Sequence, residues 1–297
     1  MRTILVATDF STRSDRALRR AVLLARQIGA RLILVHVVDE DRPARLVELE
    51  RREAESLLAE TAATLVNSDG LECRSLLGYG DAFSGVLEAA DEIVPDLLLL
   101  GAPRRQLLEG MITGTTTERV IRAGRWPVLV AHGVPARPYR RLILASDLSP
   151  GARAAAERLR RLGLDRAGTL VAVHVFAAAI SALSLRTPFA ASQFESERAR
   201  ERCEASSALA RWLAEAGLVH ARRLALPDDG GVAERLLTTA NQLRGELLVL
   251  ASRGRIGLGK LLLGSTAEAV LRRAEIDVLV VPPEAADPTE PSDAIAS

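Results

Sequence analysis

The sequence predicts two tandem α/β domains, each a doubly wound parallel sheet of Rossmann-like type. The first observation is length, because 297 residues are enough for two domains of about 150 residues each. The second is the alternation of short apolar runs with longer amphipathic stretches, as in βαβ units. The third is an internal repeat, in which the apolar run and the acid of 4–11 return at 142–149.

Each predicted strand of the first half is a continuous apolar run, which is typical of parallel strands buried on both faces. In chain order these strands are 3–8, 31–38, 72–77 (the weakest), 96–101 and 127–132. Amphipathic stretches between them predict helices at 14–28, 43–66, 81–93 and 115–123. The arginines of the first helix form a basic face, and we expect that face, like the one at 153–161, to be solvated.

The repeat sets the predicted domain boundaries. Asp9 and Asp147, which end the first strand of each half, lie 138 residues apart, whereas Gly114 and Gly264 lie 150 residues apart. The second half therefore carries 12 extra residues, around 176–194, whose role the sequence does not indicate. We predict a first domain at 1–136, a second at 139–283 and a flexible polar tail at 284–297.

Composition excludes several classes of protein. The net charge is +1 and aromatic residues make up 3%, so a basic nucleic-acid binder with stacking platforms is not expected. Two cysteines exclude a disulfide-dense scaffold and a four-cysteine zinc site, and they fit a reducing compartment. The longest weakly polar run, 170–185, is shorter than the roughly 20 residues of a membrane span. The first apolar run is also too short for a signal peptide, so we expect a cytoplasmic protein.

The chemistry is expected at the carboxyl ends of the strands, where ligands bind in doubly wound sheets. An Asp ends the first strand of each half, and glycine-containing loops, 101–115 and 251–265, follow the fourth. Glycines allow positive φ and close approach of an anion, and the helix after each loop offers free N–H groups to phosphate. Arg253, Arg255 and Lys260 add positive charge to the second loop. The pattern predicts a phosphate cradle facing an acid that accepts hydrogen bonds from a ribose or a base.

Part of the loop 251–265 is similar in sequence to a P-loop. Gly254-x4-Gly259-Lys260 is close to a P-loop, but Leu261 stands where a Ser or Thr would bind magnesium. We therefore do not predict a P-loop.

These residues resemble the universal stress protein (UspA-type) family, and the resemblance covers both halves. It rests on an Asp after the first strand, a His-Val pair at the end of the second, and a G-x2-G-x9-G-(S/T) pattern after the fourth. It implies an adenine-nucleotide-α-hydrolase-like fold, in which the Asp and the valine line an adenosine pocket while the glycines and the Ser/Thr hold phosphates. It also implies that the apolar fifth strands, 127–132 and 277–282, pair to make an intramolecular pseudo-dimer. Whether two chains associate as a homodimer stays open.

Carried over residue by residue, the resemblance implies two nucleotide sites. In the second domain the matching residues are Asp147, Val175, Gly254, Gly264, Ser265 and Thr266, with Ala251 in place of the first glycine. In the first domain they are Asp9, Val37, Gly101, Gly114, Thr115 and Thr116, with Arg104 in place of the second glycine. The Arg104 side chain could block the phosphate site of the first domain, or it could bind a phosphate itself. We expect the second domain to be the better site.

Simpler structural roles stay open for the same residues. The two acids precede helices and could cap them or order the turn. Thr115 and Ser265, each followed three residues later by Glu, predict capping boxes whether or not a ligand binds. His36 and His174 lie inside apolar strands, so we expect them to be packed or bonded to the backbone and not catalytic.

Three functions follow from these patterns. The first, which we expect, is a stress-response regulator that binds an adenine nucleotide (ATP, ADP or AMP, with or without Mg²⁺) and signals to a regulatory protein partner. The second is a scaffold of the same fold that binds no nucleotide, which the interrupted glycine patterns favour. The third is a weak ATPase. The sequence has no evident base or metal-ligand cluster, so we expect no enzyme, with slow ATP hydrolysis staying open.

Overall fold

The first half of the chain forms the alternating strands and helices that its sequence predicts. The computed structural model describes residues 2–103, 115–166, 168–177, 188–252 and 263–283, with 188–194 described by backbone alone. The strands are β1 (Arg2–Ala7), β2 (Ala30–Val38), β3 (Cys73–Tyr79), β4 (Leu97–Gly101) and β5 (Val128–Ala131). The helices are α1 (Thr12–Ile28), α2 (Ala44–Asn67), α3 (Ala82–Ile93) and α4 (Thr116–Ala123). Each predicted element of this half is confirmed, with shifts of one or two residues at its ends.

The second half repeats this order. Its strands are β6 (Arg141–Ala145), β7 (Thr169–Phe176), β8 (Arg222–Pro227), β9 (Leu247–Ala251) and β10 (Asp277–Val281). Its helices are α5 (Pro150–Arg161), α6 (Pro188–Glu215), α7 (Val232–Gln242) and α8 (Ser265–Arg273). The extra residues predicted around 176–194 lie largely outside the described residues, as does the predicted tail.

The described strands make one ten-stranded sheet in the order β3-β2-β1-β4-β5-β10-β9-β6-β7-β8. Within each half all pairings are parallel, and the strand order reverses direction beside β1 and beside β6. These two positions are the switch points at which doubly wound sheets bind ligands. The prediction of two doubly wound parallel sheets is therefore confirmed.

Two apolar layers cover the sheet. One face packs against α1, α2, α5 and α6, and the other against α3, α4, α7 and α8. Because both faces are covered, consecutive strand residues such as Ile4, Leu5 and Val6 are all fully buried. This explains the continuous apolar runs in the sequence.

The two halves join through their fifth strands, as the family resemblance implies. β5 and β10 pair antiparallel, with Leu129 opposite Leu279 at the centre of the ladder. Each strand covers the edge of the other, so neither apolar edge is left open. The intramolecular pseudo-dimer is therefore a single continuous sheet.

One arginine of α1 contradicts the expectation of a solvated basic face. Arg20 is only 6% exposed, and its Nε lies 2.8 Å from Oδ2 of Asp277 at the start of β10. Its guanidinium also lies 4.0 Å from the ring centroid of Tyr139. The expectation is wrong here because the buried partner comes from the other half, 257 residues away, which helical periodicity cannot reveal.

The length and the apolar character of the described helices show whether any of them could span a membrane. None of them combines the length and the apolar character that a membrane-spanning helix requires.

Candidate functional site

A cavity of about 500 Å³ opens at the switch point of the first domain. Its wall contains five of the six residues that the resemblance assigns to this domain: Asp9, Val37, Gly101, Thr115 and Thr116. Gly114, like Arg104, lies outside the described residues. The volume is in the range of ordinary small-molecule sites, roughly 300–1,000 Å³. The fold thus brings together residues that are far apart in the sequence.

Asp9 orders the turn after β1 and does not cap the helix. Its Oδ1 accepts a hydrogen bond from the backbone N–H of Ser11 at 3.1 Å. The N-cap of α1 is Ser11 itself, whose side chain accepts from the N–H of Ser14. The second domain repeats the arrangement, with Asp147 accepting from Ser149, which caps α5. Of the two structural roles left open, ordering of the turn is the correct one.

The Asp9 carboxylate is ionised at neutral pH. Burial alone would raise its pKa, but hydrogen bonds from Ser11 and Ser14 and the positive charge of Arg13 lower the pKa below 3.8. The Nη2 atom of Arg13 lies 3.7 Å from Oδ2 of Asp9. An ionised carboxylate only accepts hydrogen bonds, so this part of the cavity suits hydroxyl or amino groups.

Val37 packs closely against two glycines. It pairs with Gly78 of β3, and a Cβ built on Gly78 would lie 3.3 Å from a Val37 methyl. A Cβ built on Gly85 of α3 would lie 2.6 and 2.8 Å from the two methyls. Any side chain at position 85 would therefore displace Val37 or push α3 from the sheet.

The second domain has larger side chains at both of these positions. Val175 pairs with Leu226 of β8, and Arg235 of α7 corresponds in the repeat to Gly85. Among the described residues, the Nε of Arg235 is buried without a hydrogen-bond partner. The two domains therefore differ at both positions that pack against Val37 in the first domain.

Gly101 is required by packing and not by a left-handed backbone. A Cβ at this position would lie 2.9 Å from the backbone carbon of Arg13 and 3.0 Å from its oxygen. The corresponding Ala251 ends β9 and packs against the core. The expectation of positive φ is also wrong at Gly264, where φ is −63°. Gly101 thus serves close approach, which is one of the two roles that glycine offers.

Thr115 forms the predicted capping box at the start of α4. Its Oγ1 accepts from the N–H of Glu118 at 3.3 Å, and Glu118 Oε2 accepts from the N–H of Thr115 at 3.3 Å. The prediction of a corresponding capping box at Ser265 is wrong. Ser265 is already the first residue of α8, and the N-cap of that helix is Gly264. The opening residues of α4, Thr116 and Thr117, carry N–H groups that the helix itself cannot satisfy.

The second-domain residues hold the positions that the repeat assigns to them. Asp147 follows β6, Val175 lies in β7, Ala251 ends β9, and Gly264, Ser265 and Thr266 lie at the start of α8. Gly254 and the P-loop-like stretch after it lie outside the described residues. The cavity described above belongs to the first domain.

Both strand histidines make the predicted backbone contacts. His36 Nδ1 lies 2.9 Å from the carbonyl oxygen of Thr8, and His174 Nδ1 lies 2.8 Å from that of Ser146. Each histidine thus holds the end of the first strand of its domain against the second. In the described ranges, no group of three or more His, Cys, Asp or Glu residues could hold a metal ion.

Sequence reasoning missed part of the cavity wall. Arg13, Ala82, Val86 and Arg119 all line it. Arg13 was attributed to a solvated face, and Arg119 belongs to no motif in the sequence. Their spatial proximity depends on the packing of α1, α3 and α4 at one end of the sheet, for which the linear pattern carries no signal.

Comparison with known proteins agrees with this fold and domain order. The model of the universal stress protein family matches residues 1–132 and 138–282. A universal stress protein of Staphylococcus aureus (strain USA300) is 29% identical over 139 residues, which are 44% of this chain and 84% of that protein. A functionally unknown protein of Pseudomonas aeruginosa PAO1 has a similar structure, with a TM-score of 0.67, 21% identity and coverage of 95% of this chain and 93% of that one. So does a universal stress protein of Archaeoglobus fulgidus, with a TM-score of 0.65, 18% identity and coverage of 95% and 96%. The chain belongs to the universal stress protein family, and two copies of the family domain make up most of its length.

Proposed function

We propose that this protein is a stress-response regulator that binds an adenine nucleotide in the cavity of its first domain. The observation that carries the proposal is a cavity of about 500 Å³ lined by Asp9, Val37, Gly101, Thr115 and Thr116. The family resemblance implies that these same residues bind adenosine and phosphates. A protein partner would respond to the bound state, and the free thiols of both cysteines support a cytoplasmic location.

The two ends of the cavity suit the two ends of a nucleotide. The ionised Asp9 accepts hydrogen bonds, so a ribose hydroxyl or the adenine amino group would face it. The N–H groups that open α4, at Thr116 and Thr117, suit a phosphate, because a helix N-terminus favours negative charge. Val37 lines the cavity and supplies an apolar surface for the base.

The position of the described cavity favours the first domain over the second. Sequence reasoning favoured the second domain because Arg104 interrupts the glycine pattern of the first. The wall of the described cavity, by contrast, contains Asp9, Val37 and Thr115 of the first domain. We therefore propose the first domain as the tighter adenine site and treat the second as the alternative to be tested.

We also propose that the protein binds its nucleotide and does not turn it over. In the cavity wall, His36 has Nδ1 at 2.9 Å from the carbonyl oxygen of Thr8 and Nε2 at 3.9 Å from Oε1 of Glu50, so both ring nitrogens already face an oxygen atom. Thr115 already belongs to a capping box and is not presented as a nucleophile. Release of inorganic phosphate from ATP, with and without Mg²⁺, tests this part directly.

The first experiment is to measure nucleotide content and affinity. Protein purified without added nucleotide is denatured, its supernatant is resolved by ion exchange at the adenine absorbance band, and nucleotide-free protein is titrated with ATP by calorimetry. Two matched variants then assign the site. Ala82→Trp places a large side chain on an exposed residue of the first cavity, and Val232→Trp places one at the corresponding first residue of α7, which is partly buried.

The proposal expects ATP binding that Ala82→Trp abolishes and Val232→Trp leaves intact. The opposite result would move the site to the second domain. Absence of retained nucleotide and of binding heat in the wild type would reject nucleotide binding and favour a scaffold of the same fold.

A further inference from the structure

We infer that Arg119 binds the phosphate chain in the first-domain cavity and sets its preference for charged nucleotides. The inference rests on the proposed nucleotide site. It adds a residue that lies outside the glycine pattern and that the sequence did not single out.

Arg119 lines the cavity from α4 and is held on its wall by two residues of the neighbouring helix end. Its Nη1 and Nη2 atoms lie 3.3 and 3.5 Å from the two carboxylate oxygens of Asp81, the N-cap of α3. Its Cζ lies 4.1 Å from the ring centroid of Phe83. The side chain is 39% exposed, so the planar guanidinium is oriented but still open to a ligand.

The fold itself does not require this group of three residues. The second domain has the same helices in the same order, but the corresponding positions are Gly231, Ala233 and Ala269. A feature that one copy of the domain keeps and the other lacks is more readily explained by a ligand than by stability. The exposed ion pair with Asp81 adds little stability of its own.

The electrostatics of the position favour an anion. Arg119 is the fourth residue of α4, close to the positive end of the helix dipole, where carboxylates are stabilising and cations are not. A phosphate at this point would gain from the dipole, from the opening N–H groups and from the fork of the guanidinium. Since the Asp81 contacts are long and solvent-exposed, Arg119 can exchange them for phosphate contacts at small cost.

Arg13, the other arginine of the described cavity wall, has a different position. It lies 3.7 Å from Asp9, at the end where ribose or adenine is expected. Arg119 shares α4 with Thr116 and Thr117, at the end where phosphates are expected. The geometry therefore assigns phosphate binding to Arg119 and not to both arginines.

The test compares ligands that differ only in phosphate number. ATP, ADP and adenosine are titrated by calorimetry into the full chain carrying Val232→Trp, so that the heat reports the first domain. Arg119→Gln should weaken ATP binding by roughly tenfold or more, as loss of a charge-assisted hydrogen bond does, and leave adenosine within about twofold. Arg119→Lys should recover part of the loss because it keeps the charge.

Two further variants separate a phosphate contact from general charge or stability. Arg125→Gln removes an equally charged side chain that is 65% exposed and pairs with Asp91 outside the cavity wall, and it should change neither affinity. Asp81→Asn keeps a good N-cap but releases Arg119, so ATP should bind more tightly, and this gain should disappear when Arg119→Gln is also present.

Equal losses for ATP and adenosine in Arg119→Gln, or no loss for either, would overturn the inference while leaving the proposed site in place. Failure of the parent protein to bind ATP at all would reject the proposed site and this inference together.

Discussion

The buried carboxylate of Asp277 is predicted to make the main stabilising polar contact between the two halves. It is 1% exposed and accepts four hydrogen bonds. Its Oδ2 accepts from Arg20 Nε at 2.8 Å and from the Tyr139 hydroxyl at 2.6 Å, and its Oδ1 accepts from the N–H groups of His132 and Gly133, both at 2.9 Å. Asp277→Asn changes the charge and one acceptor while keeping the shape.

The size of the expected effect follows from these partners. The Asn carbonyl can still accept from the two backbone N–H groups, and the Tyr139 hydroxyl can rotate to accept from the new amide. Arg20 has no acceptor capacity, so its guanidinium would be left buried beside an amide N–H donor. Removal of one partner of a buried ion pair costs about 3–5 kcal/mol. That is a large part of the roughly 5–15 kcal/mol that stabilises a folded domain.

Urea unfolding followed by circular dichroism measures this loss of free energy of unfolding. Trp126 and Trp212, one in each half, report by fluorescence whether both halves unfold in the same transition. The matched control is Asp69→Asn, which breaks the exposed pair with Arg26 and should cost less than about 1 kcal/mol. The double variant Arg20→Met/Asp277→Asn should be more stable than Asp277→Asn alone, because it leaves no buried charge.

A loss below about 1 kcal/mol in Asp277→Asn would refute the reasoning. So would a double variant in which the two single losses simply add, because the two side chains would then not interact.

Three other predictions follow from local geometry. Burial alone would raise the pKa of Glu246, but backbone N–H donors and nearby arginines hold that pKa below 4.5. The ionised Glu246 carboxylate therefore stabilises the fold above that pH, and this stabilisation is lost as the pH falls. The free energy of unfolding should therefore fall less in Glu246→Gln than in wild type between about pH 6 and pH 3; parallel curves would contradict this. Burial raises the pKa of Cys73 to about 11, so a maleimide at neutral pH should label the exposed Cys203 first. Peptide mass spectrometry measures the two labelling rates, and equal rates would contradict this prediction. Gly101→Ala should cost about 1–3 kcal/mol in urea unfolding, because the new methyl meets the Arg13 backbone at 2.9 Å, and an unchanged midpoint would contradict it.

The elements of the fold could be predicted because their signals are local. In β1, Ile4, Leu5 and Val6 are adjacent apolar residues, and only a strand covered on both faces buries all three. The repeat then allowed each element of the first half to be matched in the second. The end of each strand, and with it the position of Asp9 or Val37, followed from the same patterns.

The side chains that join distant segments could not be predicted in this way. Arg20 has the helical spacing of a surface residue, and only the pairing of β5 with β10 buries it. Asp277 lies where the first half has Pro127, so the repeat gives no hint that it accepts four hydrogen bonds. The prediction of a capping box at Ser265 was wrong for a similar reason. The sequence pattern alone does not show whether Ser265 is the N-cap or the first residue of the helix.

Contacts across the junction link the first-domain cavity to the second domain. Glu118 is 3% exposed, and its carboxylate has two partners: the N–H of Thr115 at the cavity and Nε of Arg272 of α8, at 3.1 Å. The pseudo-symmetric pair joins Arg122 of α4 to Glu268 of α8 at 3.3 Å. Without α8, Glu118 would be left without the arginine that neutralises it, and the capping box that holds Thr115 against the cavity would lose its support. The N-terminus of α4, where phosphates are expected, is therefore positioned in part by the other half of the chain.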